Sequence, residues 1–366
     1  MKSLRTVTYV AAAAIGFAAT AGTASAETNL VVVSWGGAYS ASQQNAYHDP
    51  YMANNPAVKI VNDDSANEAV AKLRAMNEAG NVTWDLVDVV AADAIRLCDE
   101  GLAEPIDHDA VLAKAPDGTP ASKDFGNLIV SECFIPQIVY STTFGYRTDL
   151  VKEKPASVCD VFDLAKIPGK RALEKNPINN MEWALICDGV KPDQVYDVLG
   201  TDAGVERALA KLGTIKDDVV WWTRGAQTPQ LLADGEVVIG STYNGRLFSV
   251  IEEEKQPIAM LWDWQVFDLD GWIIPKGTKN KQAVLDYLKF ATDTQRLADQ
   301  AKYISYGPAR KSSAPLVGKH AELGIDMAPH MPTDPKNAKT TLLYNYEFWA
   351  DHRDDIDERF QAWLLQ

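Results

Sequence analysis

Three β-branched apolar runs, at 29–34, 58–62 and 86–90, alternate with helical stretches over the first hundred residues. The first run, Asn29-Leu30-Val31-Val32-Val33-Ser34, reads as a buried strand. Helices are expected at 40–54, at 67–79 and in a segment ending near Gly101. A βαβαβ alternation of this kind predicts a parallel sheet clothed by helices. In such sheets ligands sit beyond the carboxyl ends of the strands. Trp35, directly after the first run, and Asp93, after Ala91-Ala92 at the end of the third, occupy that position.

The theme recurs downstream. A strand at 138–146 crosses towards a second unit, with helices at 161–165, 181–189, 194–199 and 204–215. A strand at 219–222 precedes a helix from Thr228, and a strand at 237–242 runs into Tyr243-Asn244-Gly245-Arg246. Segments 261–263 and 271–275 read as strands around a second crossing, followed by helices at 281–292 and 293–302. From Tyr346 the tail is helical, and Trp349, Phe360, Trp363 and Leu364 fall at the spacing of one buried face. The fold class expected is α/β, with two discontinuous lobes and a central cleft: 27–137 plus 271–310, then 142–266, with 311–366 a helical segment packed on the lobes. A chain this long exceeds the size at which a single core keeps growing.

The first 26 residues read as a secretory signal peptide. Lys2 and Arg5 start it, the apolar run at 7–19 continues it, and Ala24-Ser25-Ala26 is a small-residue cleavage site. Cleavage after Ala26 would place the protein in the periplasm and leave 340 residues. The net charge would move from −15 to −17 with the loss of Lys2 and Arg5. No later stretch is apolar enough to enter a bilayer. An acidic surface repels phosphate backbones and anionic headgroups, which argues against nucleic-acid or membrane-surface partners. The four cysteines, Cys98, Cys133, Cys159 and Cys187, read as disulfides in an exported chain. Three connectivities are possible; the sequential one closes the two shortest non-overlapping loops. No CxxC spacing or neighbouring His suggests a metal, and no cofactor is expected.

The sequence carries no nucleophile elbow, phosphate loop, HExxH or dinucleotide fingerprint, so an enzyme is not expected. The informative residues are polar and aromatic groups at strand ends. Trp35-Gly36-Gly37 offers an aromatic plate beside backbone that a ligand can approach closely. Asp93 can face an ammonium or cap a helix. Tyr243 and Arg246 bring an aromatic wall and a guanidinium, and Asp268, Asp270 and Trp272 suit an amine through charge-assisted hydrogen bonds and cation–π contact. Tyr306 stands in a Tyr-Gly-Pro turn.

Taken together, the strand-Trp35-Gly36-Gly37 opening, Leu232-Ala233-Asp234-Gly235-Glu236-Val237, the run at 238–245, the run at 270–277 and Tyr303-Ile304-Ser305-Tyr306-Gly307-Pro308 resemble the periplasmic solute-binding proteins of ABC importers, in the spermidine/putrescine-type branch. The resemblance implies a type II periplasmic binding fold that hinges shut over one ligand, working as a monomer with ABC permease subunits of the inner membrane. By position Trp35 looks like the first-lobe aromatic, Asp270 the main carboxylate, Tyr243 the second-lobe ring and Tyr306 the ring near the C-terminal return. Gly36, Gly37, Tyr39, Asp93, Asn179, Gln227, Arg246 and Asp268 complete the ligand set expected from the sequence. The function expected is capture of a polyamine such as putrescine or spermidine. The alternative is a zwitterionic ω-amino acid such as 4-aminobutyrate. Two departures feed that alternative: Asn176 and Asn179 stand where the branch has an acidic pair, and Arg246 has a bidentate fork that a polyamine cannot use.

Overall fold

The computed structural model describes residues 27–366, so the expected signal segment lies outside the described residues. Ten strands form one mixed sheet: β1 (Thr28–Val33), β2 (Val58–Asp63), β3 (Leu86–Val90), β4 (Ile135–Arg147), β5 (Arg171–Glu174), β6 (Val219–Trp222), β7 (Ile239–Tyr243), β8 (Ile258–Ile273), β9 (Gly307–Pro308) and β10 (Thr341–Leu343). Their order is β2-β1-β3-β8-β4-β7-β5-β6, with β10 on β8 and β9 on β4. As the alternation predicts, β1 lies parallel to β2 and β3, and β5 lies parallel to β6 and β7. The two parallel groups are joined by the antiparallel pair β4–β8, which pairs from Ile135↔Trp272 to Arg147↔Ile258. Both strands therefore belong to both lobes.

The segments expected at 261–263 and 271–275 are one strand of 16 residues. Its aspartates argue for a break, because Asp is depleted in strands. Here they are satisfied from outside the ladder. Asp263 accepts from the Val158 amide (2.9 Å) and the Thr340 hydroxyl (2.8 Å). The strand bends at Trp264, whose φ is 51°. The helix expected at 161–165 is a 3-10 turn over Val158–Phe162.

Each lobe has its own apolar core. Leu30, Val32, Tyr47, Trp272 and Tyr287 anchor one. Phe144, Trp183, Leu185, Trp349 and Phe360 anchor the other. The C-terminal helix Tyr346–Leu364 belongs to the second core through the face read from its spacing, with Trp363 and Leu364 at the margin. Trp272 is fully buried, edge-on to Tyr47 at 5.7 Å, so it is a core residue and offers no face to an amine. Truncating such a side chain costs about 3–5 kcal/mol. The disulfides are sequential, Cys98–Cys133 and Cys159–Cys187. No helix among the described residues is long and apolar enough to cross a membrane.

Candidate functional site

The period-2 geometry of strands explains why the site lies where β3, β4 and β8 meet. Asp268 and Asp270 are two apart on β8 and so share a face, while Leu269 between them turns into the core. Tyr140 lies opposite Asp268, Ile138 opposite Asp270 on β4, and Val90 opposite Asp270 on β3. Asp88, two residues before Val90, is diagonal to Asp270 on the same face. A register irregularity between Pro136 and Ile138 brings Gln137 to this face as well.

After β1 the chain turns through Gly36 (φ 74°) and Gly37 (φ 60°), a backbone conformation that glycine adopts without strain. The short helix Gly37–Gln43 then presents Tyr39 and Gln43, four apart, to the same carboxylates. Tyr39 Oη stands 2.8 Å from Asp270 Oδ1, 2.5 Å from Gln137 Oε1 and 3.5 Å from Asp88 Oδ1. The Trp35 indole N–H donates to Asp270 Oδ2 at 2.8 Å, and Gln43 Nε2 donates to both oxygens of Asp88 at 3.2 and 2.9 Å. Burial pushes the carboxyl groups of Asp88 and Asp270 well up, and Asp88 raises Asp270 further by repulsion.

The opposite wall comes from the end of β7. Asn244 is consumed by structure: its Oδ1 accepts from the Ser141 amide and its Nδ2 donates to the Ser305 carbonyl. That fixes the turn from which Arg246 points back. Its guanidinium lies in a slot with glycine on two sides, where a Cβ on Gly37 would stand 2.9 Å from Nη1 and a Cβ on Gly225 2.9 Å from Nε. Nη2 donates to the Trp35 carbonyl at 3.1 Å, whereas Nε is buried with no acceptor among the described residues. Tyr243 and Tyr306 complete the enclosure; Tyr140 stands edge-on to both, at 5.4 and 6.1 Å.

Six of the expected residues, Trp35, Tyr39, Tyr243, Arg246, Asp270 and Tyr306, thus line one pocket. Asp93, Asn179 and Asp268 line an adjoining, larger chamber instead. Asp93 sits in the first turn of the helix Ala91–Asp99 and is ion-paired with Arg353 of the C-terminal helix, so its charge is already matched. Asp268 accepts from the Tyr140 hydroxyl (2.8 Å), and burial pushes its carboxyl up to about 7. Asn179 holds a positive φ of 68° and donates to the Thr142 hydroxyl. Gln227 lines neither space; its Oε1 accepts from the amides of Thr223 and Arg224 and closes a turn. Gly36 and Gly37 act through their backbone shape. Sequence reasoning missed Tyr140, Asp88, Gln137 and Arg353. No group of His, Cys, Asp and Glu among the described residues is arranged to hold a metal ion.

With this geometry in hand, similarity to known proteins becomes informative. The family described as bacterial extracellular solute-binding protein matches residues 46–333. A gamma-aminobutyric acid-binding protein of Pseudomonas aeruginosa is 34% identical over 351 residues, 96% of this chain and 95% of that protein. Among solved structures, the binding protein MotA of A. tumefaciens in complex with glucopine is 28% identical with a TM-score of 0.82, covering 92% of this chain and all of that one. A GABA receptor is 33% identical with a TM-score of 0.77, covering 92% and 98%. A spermidine/putrescine-binding protein of Streptococcus pneumoniae, at 17% identity and TM-score 0.66 over 92% and 99%, shares the fold alone. The expected kinship to the polyamine branch is thus distant.

Proposed function

This chain belongs to the bacterial extracellular solute-binding protein family, and on that premise we propose that it captures a short ω-amino acid, of which 4-aminobutyrate is the simplest, for an ABC importer. The ligand carboxylate pairs with Arg246 and its ammonium with Asp270, while Trp35, Tyr39, Tyr243 and Tyr306 enclose the methylenes between them. The observation that carries this reading is one pocket holding a guanidinium with an orphaned buried N–H and a buried carboxyl, neither with a partner of opposite charge among the described residues. An unsatisfied buried donor costs about 1–3 kcal/mol, which a bound carboxylate recovers. A polyamine would leave that donor unsatisfied and bring a second positive charge towards Arg246. The expectation of a polyamine therefore gives way to the zwitterion.

The rest of the proposal follows from that role: a periplasmic monomer, a binding protein and not an enzyme, whose lobes divide at 27–137 with 271–310 and at 142–266, the tail 311–366 packing on both. Closure would desolvate the ligand and present a joined surface to the permease subunits. Calorimetric titration with 4-aminobutyrate, putrescine and spermidine tests the ligand. Binding of 4-aminobutyrate in preference to both polyamines is expected. Removing one partner of a buried charge pair costs about 2–5 kcal/mol, so Arg246→Ala should weaken 4-aminobutyrate by roughly thirtyfold or more. Tight binding of putrescine that survives Arg246→Ala would sink the proposal.

A further inference from the structure

We propose that Tyr140 is the specificity-determining wall of the ligand site, separating the inner pocket from the outer chamber and so limiting the length of ω-amino acid that fits. The inference rests on the proposed function and deepens it.

Trp35, Val90, Tyr140 and Tyr243 are common to the linings of both spaces. Of these, Tyr140 spans the boundary most completely. Its ring is edge-on to Tyr243 at 5.4 Å and to Tyr306 at 6.1 Å, and of these two Tyr306 lines the inner pocket and not the outer chamber. Its hydroxyl reaches the outer side, where it donates at 2.8 Å to Asp268, a residue that lines the outer chamber and not the inner pocket. The backbone at Tyr140 is held in the β4–β8 ladder opposite the same aspartate. Side chain and main chain are thus fixed to one neighbouring strand, and the ring cannot swing aside without taking the hydroxyl from Asp268 Oδ2, the Leu269 amide serving only Oδ1. Edge-on aromatic contacts of this kind add stabilisation beyond burial, which stiffens the wall.

Behind the wall the chemistry changes. The inner pocket is aromatic with one guanidinium and one carboxyl, whereas the outer chamber is rich in acceptors and ion pairs, including Glu174, Asn179, Asp268 and the Asp93–Arg353 pair. A short zwitterion satisfies the inner pocket alone. A longer chain must either displace the Tyr140 ring or leave one of its charges away from Arg246 or Asp270.

Calorimetric titration of a series, 4-aminobutyrate, 6-aminohexanoate and 8-aminooctanoate, against wild type, Tyr140→Phe and Tyr140→Ala reads this out. Wild type should lose tenfold or more in affinity from the shortest to the longest member. Tyr140→Phe keeps the ring and should keep that ratio even if absolute affinity falls. Tyr140→Ala should shift the ratio tenfold or more towards 8-aminooctanoate; if it does not fold, Tyr140→Val, with a β-branched side chain suited to a strand, carries the same comparison. Equal wild-type affinity for the short and long ligands, or a ratio unchanged in the small variants, overturns the wall while leaving the proposed function standing. Failure of wild type to bind any member of the series overturns both.

Discussion

Ligand capture by this pocket should expel a proton. Asp270 and Asp88 lie on one face, both buried, and both carboxyl groups are pushed up, first by burial and, for Asp270, next by Asp88. The hydrogen-bond arithmetic points the same way. Tyr39 Oη is within reach of three acceptors, Asp270 Oδ1, Gln137 Oε1 and Asp88 Oδ1, yet a hydroxyl owns one proton. Tyr39 can donate to only one of these acceptors, which leaves the cluster short of donors and favours a proton held on a carboxyl. The other groups facing the pair are Trp35 and Gln43 from the first turn, Tyr140 from β4, Asp268 from β8, Tyr306, and Arg246 across the pocket. None of these places a cation on Asp270.

A ligand ammonium does place one there, and lowers the pKa of the carboxyl it meets. The free protein then binds more protons than the complex, so affinity rises with pH. Below the free-state pKa the dissociation constant should fall about tenfold per pH unit, or about 1.4 kcal/mol. Below that pKa about one proton should leave per ligand bound. Titration of 4-aminobutyrate in buffers of different ionisation enthalpy measures that number directly as the slope of observed heat against buffer enthalpy. Asp270→Asn should bind far more weakly, and any residual binding should release no proton from this position. Heats that do not depend on the buffer, together with a dissociation constant that stays level from about pH 5.5 to 7.5, would refute the reasoning.

Glu182 gives a stability counterpart. It is fully buried, its Oε1 accepts from the Trp349 indole N–H at 2.8 Å, and burial pushes its carboxyl up to about 7. A folded-state pKa above the unfolded one stabilises fully below the unfolded value and is lost as pH rises through the folded value. Thermal stability should therefore decline from about pH 4.5 to 7, and Glu182→Gln, which keeps the acceptor, should remove on the order of 2–3 kcal/mol of that decline when unfolding is followed across this range. The loop closed by Cys159–Cys187 spans a sequence separation of 28. Replacing both cysteines by serine should lower stability by about 3–4 kcal/mol in denaturant unfolding, without changing ligand affinity.

Much of this architecture was legible because β-branched runs announce buried parallel strands: β3 and β6 begin and end where the sequence places them. β8 was not, because Asp268 and Asp270, between the two segments read as strands, suggest a break until their partners are known. Within the site, Arg246 and Tyr243 stood out because they follow a strand end. Asp88 carried a weaker signal, the single acid in the apolar run of β3, and it was overlooked. Tyr140 carried almost none, since a tyrosine in a β-branched strand reads as core. Arg353 reaches Asp93 from 260 positions away through the folding back of the tail, a contact that local pattern cannot encode.

The residues that hold the proposed ligand are not all on the lobes that move. Asp270, the proposed partner of the ligand ammonium, sits on β8, and Tyr140, the proposed wall, sits on β4; these two strands pass from one lobe to the other. The contact point is therefore the pivot itself. A pivot gives leverage: at about 3.3 Å per residue, half of β8 spans roughly 25 Å, and a turn of about 10° at its middle carries the strand ends some 4 Å, roughly a side chain's length. Ångström-scale adjustment around one small zwitterion is thereby written large on the outer faces, where a membrane partner has only to gauge the distance between two lobes.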